Sequence, residues 1–212
     1  MRIILATNNE NKVAEISAIL DAFGITVEGA ASAGGMPEVE EDGVTFAENA
    51  LAKARAGARN FGEPALADDS GLEIPALDGR PGVYSARYAG PSCSYADNNR
   101  KLLGEMTDLE GDKRRGRFVC SAALAFPDGQ EYVVEGELFG TITTEPRGSG
   151  GFGYDPVFVP DGRGRTLAEM NSEEKNDISH RRRAFEKMAG VLRNLAASGA
   201  IESLAEGEKP PV

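Results

Sequence analysis

Two adjacent aspartates, Asp68 and Asp69, follow directly on the apolar run Ala65 to Ala67 and lead into Ser70-Gly71. The apolar triplet reads as a short strand, which places two carboxylates at its C-terminal end. Open α/β sheets favour that position for ligands. Two like charges side by side are costly unless a cation or hydrogen bonds offset them, and hard divalent ions such as Mg²⁺ prefer oxygen ligands of this kind. The alternative for a bare Asp-Asp-Ser-Gly is a turn or a helix cap.

The flanking segments alternate in period. Ile3 to Ala6 reads as a strand, followed by the polar run Thr7 to Lys12 and by Val13, Ile16, Ile19, Leu20 and Phe23 at helical spacing. Gly24 closes that helix, and Thr26 to Ala30 is a second strand. Thr45-x-x-Glu48 has the form of a capping box opening a helix over about 46–60, on which Asn49 and Lys53 lie one turn apart. Pro75 to Gly90 has the Gly/Pro spacing of an irregular loop, and Ser94 caps a helix running through Met106.

Residues 117–126 and 131–138, joined by Pro127-Asp128-Gly129, read as a β-hairpin. A strand over 156–159 follows a glycine-rich loop, and a last helix after Ser179 buries Phe185, Met188, Leu192 and Leu195. This order predicts an α/β fold with a mixed β-sheet flanked by helices. Residues 1–198 read as one domain and 199–212 as a partly disordered tail.

The chain has 212 residues, enough for a substantial core without covalent staples. Cys93 and Cys120 show no CxxC or Cys/His pattern, so neither a disulfide framework nor a zinc site is expected, and a reducing cytoplasm fits best. Residues 1–6 are too short for a signal-peptide core, and no run reaches membrane-spanning length. The net charge of −11 argues against a nucleic-acid binder, since a phosphate backbone requires a basic face. An anionic ligand would have to meet local cations or a metal.

Four polar clusters are candidates for one site: Thr7 to Lys12, Glu40 and Glu41 with Lys53, Asp68-Asp69-Ser70, and a C-terminal set from Gly151 to Arg181. The first lacks the P-loop pattern, yet a Thr/Asn-rich turn entering a helix offers N–H groups and a dipole to a phosphate. In Gly151-Phe152-Gly153-Tyr154-Asp155 an aromatic ring among glycines suits stacking on a base; the alternative is a strained turn. His180, the sole histidine, sits beside Arg181 at a helix start, where side chains can donate to a planar heterocycle or serve only the core. Lys113-Arg114-Arg115 reads as loop surface.

Together these segments resemble the inosine triphosphate pyrophosphatase family, also called non-canonical purine NTP pyrophosphatases, from Met1 to about Ala197. The resemblance rests on Thr7-x-Asn9-x-x-Lys12, Phe46-x-Glu48-Asn49-Ala50-x-x-Lys53-Ala54, Ala67-Asp68-Asp69-Ser70-Gly71-Leu72, Pro81-Gly82-Val83-Tyr84-Ser85-Ala86-Arg87-Tyr88, Gly151-Phe152-Gly153-Tyr154-Asp155-Pro156 and Ser179-His180-Arg181. It implies an elongated sheet in two lobes with the nucleotide site in the cleft between them, and a cytoplasmic homodimer. It implies hydrolysis of ITP, dITP and XTP to a monophosphate and pyrophosphate with Mg²⁺, cleansing the nucleotide pool.

By the same resemblance Thr7, Asn8, Asn9, Glu10, Asn11, Lys12 and Lys53 would hold the triphosphate, and Glu40 or Glu41 with Asp69 would bind Mg²⁺. Asp69 would be the general base, and Ser70 would touch substrate. Phe152 and Gly153 would lie against the base, with Tyr154, Asp155, Lys175, Ser179, His180 and Arg181 along its polar edge. Two rival readings are a nucleotide-binding module without hydrolysis and a pyrophosphatase for pyrimidine or modified-base triphosphates.

Overall fold

The computed structural model describes residues 2–199 and 201, so the expected disorder of the tail lies outside the described residues. Among them the strands are β1 (Ile4–Leu5), β2 (Glu28–Gly29), β3 (Ala65–Glu73), β4 (Arg115–Ala125), β5 (Glu131–Ile142) and β6 (Phe158–Pro160). They form one sheet in the order β2-β1-β3-β4-β5-β6, with β1 parallel to β2 and β3 and the remaining pairs antiparallel. This is the mixed sheet that the alternating periods predict. The helices are α1 (Glu10–Asp21), α2 (Phe46–Phe61), α3 (Tyr95–Glu105), α4 (Ser172–Ile178) and α5 (His180–Ala197). No helix among the described residues is long and apolar enough to cross a membrane.

The helix starts follow from side-chain caps. Asn9 Oδ1 accepts from the N–H groups of Asn11 and Lys12, and the Thr45–Glu48 and Ser94–Asp97 pairs each form the expected reciprocal box. The helix α4 was not expected from periodicity, because seven residues are too few to show a stripe. Its sequence signal is a further box, Asn171 with Glu174.

β3 departs most from the sequence reading. It does not end at Ala67 but continues through Asp68, Asp69 and Ser70 to Glu73, paired with β4 at Asp68↔Ala122, Asp69↔Ser121 and Ser70↔Cys120. Aspartate, serine and glycine are poor strand formers alone, yet a partner ladder overrides propensity. The acidic pair therefore stands inside the sheet rather than at a strand's end. β6, by contrast, is shorter than expected, since Asp155–Val157 forms a 3₁₀ turn.

Three apolar clusters frame this strand. Ile3, Leu5 and Leu66 pack with Ile16 and Leu20 of α1 and with Phe185, Met188 and Leu192 of α5. Burial of each such large side chain contributes roughly 1.5–3 kcal/mol. On the opposite face Ala50, Ala54 and Ala58 of α2 meet Ala65, Ala67, Ala123 and Ala125, small against small, which brings α2 close to the sheet. At the far end Leu72, Phe118, Leu138, Tyr154 and Phe158 form a third cluster. Close approach recurs at β5, where a Cβ on Gly136 would lie 2.2 Å from the His180 carbonyl, so only glycine lets α5 dock.

Candidate functional site

Between the cluster that holds Leu66 and the one that holds Leu72, β3 carries Asp68, Asp69 and Ser70 past a cleft of about 340 Å³. Successive side chains on a strand point to opposite faces, so the two aspartates meet different surroundings. Asp68 turns toward α1 and α5: Lys12 Nζ lies 3.0 Å from its Oδ1, and Arg181 Nη2 3.2 Å from its Oδ2. Ser70, on the same face, donates its hydroxyl to Asp68 Oδ2 at 2.7 Å. Burial alone would raise the Asp68 pKa, but Lys12, Arg181 and Lys53 outweigh it and hold the carboxyl far below its usual range.

Asp69 faces α2. Its Oδ1 lies 3.1 Å from Lys53 Nζ, and its Oδ2 accepts from Asn49 Nδ2 at 3.1 Å. Lys53 also pairs with Glu41 at 3.3 Å, so one ammonium joins the two carboxylates. Burial raises the Asp69 pKa above that of an ordinary aspartate; Lys53 opposes the rise and the Glu41 charge adds to it. A buried carboxylate that holds a proton more readily than usual suits a general base.

The other end of the cleft is built by the 150–155 turn and by α4 and α5. Phe152 is half-buried, with Lys175 Nζ 4.5 Å and the Arg181 guanidinium 5.8 Å from its ring centroid. Asp155 Oδ2 accepts from the Phe152 N–H at 2.9 Å and pairs with Lys175 at 2.8 Å, which fixes the ring's platform. Tyr154 donates its hydroxyl to the Ser85 carbonyl and so braces the wall rather than offering that group to a ligand. His180 stacks on Phe118 at 4.8 Å, with its Nδ1 buried and without a hydrogen-bond partner among the described residues. Burial, then the Arg181 and Lys175 charges, lower its pKa well below the ordinary value, so the ring is neutral.

The cleft brings together Thr7, Asn8, Asn9, Lys12, Glu41, Lys53, Asp69, Ser70, Phe152, Gly153, Tyr154, Asp155, Lys175, His180 and Arg181. Glu10, Asn11, Glu40 and Ser179 do not line it: Glu10, Asn11 and Glu40 are solvent-exposed, and the Ser179 hydroxyl caps α5. Of the adjacent glutamates it is Glu41 that turns inward. Two of the N–H groups expected to face a phosphate, those of Asn11 and Lys12, are already taken by Asn9.

Glu15 escaped the sequence reading, and Asn49 enters it only as the neighbour of Lys53 on α2, without a role in the site. Glu15 bridges Lys175 at 2.9 Å and Arg181 at 2.5 Å, and Asn49 holds Asp69. The signal for Glu15 was its place one helical turn after Lys12. That for Asn49 was an amide in an otherwise alanine-rich buried stripe.

A sequence profile of the Ham1 family matches residues 3–191, a span that includes every cleft residue named above. The chain belongs to the Ham1 family. Its Ham1 relatives include a protein of Streptomyces avermitilis named dITP/XTP pyrophosphatase, 50% identical over 92% of this chain and 98% of its own length. Another of that name, from Geobacter sulfurreducens, is 51% identical over 87% of this chain and 92% of its own. Among solved structures, a HAM1 protein from Coxiella burnetii matches with a TM-score of 0.83 and 41% identity, covering 92% of this chain and 99% of that one. The Staphylococcus aureus Ham1 protein matches at 0.82 and 38%, with the same coverage.

Proposed function

We propose that this Ham1 protein is a Mg²⁺-dependent pyrophosphatase that cleaves ITP, dITP and XTP to the nucleoside monophosphate and pyrophosphate. Its main support is the placement, in one cleft, of the Asp69 carboxylate 3.1 Å from Lys53 Nζ together with a cation-flanked Phe152 ring. The name dITP/XTP pyrophosphatase borne by its relatives supports the same substrate class. A cytoplasmic homodimer that clears these nucleotides before they enter DNA or RNA completes the proposal.

The donor set fits Mg²⁺. Four cations line the cleft, Lys12, Lys53, Lys175 and Arg181, against four carboxylates, Glu38, Glu41, Asp69 and Asp155, so the protein's own charges nearly cancel. A triphosphate therefore calls for added positive charge. Glu41 and Asp69, already joined through Lys53, would hold the ion. Mg²⁺ takes one or two carboxylates and completes its shell with phosphates and water. When bound, the ion supplies Lewis-acid stabilisation of charge on the phosphates.

The chain's own residues supply the remainder. Asp69 takes a proton from the water whose oxygen bonds to the α-phosphorus, while the bond from that phosphorus to the bridging oxygen breaks and pyrophosphate leaves with the electron pair. Lys12 and Lys53 orient the phosphates. At the other end Phe152 stacks on the base, and the Lys175 and Arg181 donors meet the carbonyl at C6 of hypoxanthine or xanthine. Adenine carries an amino group there, a donor set against donors, which leaves that amino group unpaired, and sites built on required hydrogen bonds discriminate by about 10⁴–10⁵.

The purified protein incubated with dITP, XTP and dATP, with Mg²⁺ or EDTA, tests the reading by ion-exchange separation of products. Monophosphate and pyrophosphate from dITP and XTP, dATP spared and EDTA abolishing turnover, are expected. No cleavage of any nucleotide with Mg²⁺ would leave only a binding module.

A further inference from the structure

Asn49 lies on α2 and is 1% exposed. Both ends of its amide are engaged: Oδ1 accepts from the Gly43 N–H at 2.9 Å, and Nδ2 donates to Asp69 Oδ2 at 3.1 Å. The first bond settles the second. A backbone N–H can only donate, so it fixes the oxygen of the amide on the Gly43 side and directs the NH₂ group at the carboxylate. The approach of the loop is tight, because a Cβ on Gly43 would lie 2.6 Å from Asn49 Oδ1 and 2.8 Å from the Glu48 Cβ.

With Lys53 on Oδ1 and Asn49 on Oδ2, the Asp69 carboxylate is held at both oxygens. Gly43 stands two residues beyond Glu41, so the same amide ties the segment that carries the second carboxylate to the first. We propose that Asn49 is a positioning residue for hydrolysis, whose amide sets the plane of the Asp69 carboxylate and its relation to the 41–43 segment. No other side chain of that length can do both: aspartate keeps the acceptor and loses the donor, and leucine loses both.

The inference rests on Asp69 being the base, and the experiment separates the two claims. Asn49→Asp, Asn49→Ala and Asp69→Asn are compared with the parent for kcat and KM on dITP at saturating Mg²⁺. The affinity for dIMP is measured alongside by calorimetry, which reports a formed site without turnover. Misplacing a reacting group by about 1 Å can cost about 10²-fold, so both Asn49 variants should lose kcat on that order. KM and dIMP affinity should stay within about threefold, because the binding contacts remain.

Asn49→Asp still receives the Gly43 N–H, so a role confined to anchoring the loop predicts that it keeps its kcat. Retained kcat in either variant overturns the proposal, as does a loss confined to Asn49→Asp, which would be an effect of added charge. A loss carried mainly by KM and dIMP affinity overturns it too. If Asp69→Asn keeps its turnover, the base assignment fails independently of what Asn49 does.

Discussion

The two faces of β3 treat adjacent aspartates in opposite ways. On the face toward α1 and α5, Asp68 is sealed against Lys12, Arg181 and Ser70, its proton affinity driven down and its charge spent on holding three elements together. On the face toward α2, Asp69 borders the cleft with its proton affinity raised and with Lys53 and Asn49 as its polar side-chain partners among the described residues. The pleat of one strand thus turns a repeated residue into one carboxylate sealed in an ion network and one at the wall of the cleft. A motif alone does not say which is which; the register does.

That division can be broken from either side. The largest expected effect is on the Asp68 face. Arg181→Met strips a buried ion network of the group that joins Asp68 to Glu15, and removing one partner of a buried ion pair costs about 3–5 kcal/mol. Chemical denaturation should show a loss of that size; a loss below about 1 kcal/mol, the worth of a surface pair, would mean that the network is not structural.

On the Asp69 face the effect should fall on catalysis instead. Lys53→Met removes the ammonium shared by Glu41 and Asp69 and should lower kcat/KM for dITP by about 10²-fold, equivalent to about 2.7 kcal/mol of transition-state binding. Equal kinetics in parent and variant would show that Lys53 does no more than neutralise the resting cleft.

The smallest effect is a pH dependence at the His180 wall of the cleft. His180 is the only histidine, and its folded-state pKa is depressed by burial and by the neighbouring cations. The unfolded chain therefore takes up the proton first, and stability present above the ordinary value of 6.5 is lost as pH falls below it. The loss approaches about 1.4 kcal/mol per pH unit. Denaturation at pH 7, 6 and 5 should show this slope in the parent and its disappearance in His180→Gln; parallel curves would contradict the buried neutral ring.

Much of the architecture was legible because it depends on local signals: the capping residues Thr45 and Ser94, the apolar stripe of α5, and the turn between β4 and β5. What was not legible depends on pairing at a distance. The extension of β3 through Asp68 and Asp69 comes from its ladder with β4, some fifty residues on in the chain. The inward turn of Glu41 rather than Glu40 likewise follows from a salt bridge to α2. The motifs located the cleft; the contacts of Glu15 and Asn49 emerged only when helices far apart in sequence met.

Whether one strand register gives the two aspartates separate roles is read from Asp68→Asn and Asp69→Asn measured side by side for dITP turnover and for unfolding free energy. Asp69→Asn should lose kcat by at least about 10³-fold at nearly parental stability, while Asp68→Asn should be destabilised by about 3–5 kcal/mol. Turnover retained in Asp69→Asn, or stability lost equally in both variants, would contradict separate roles.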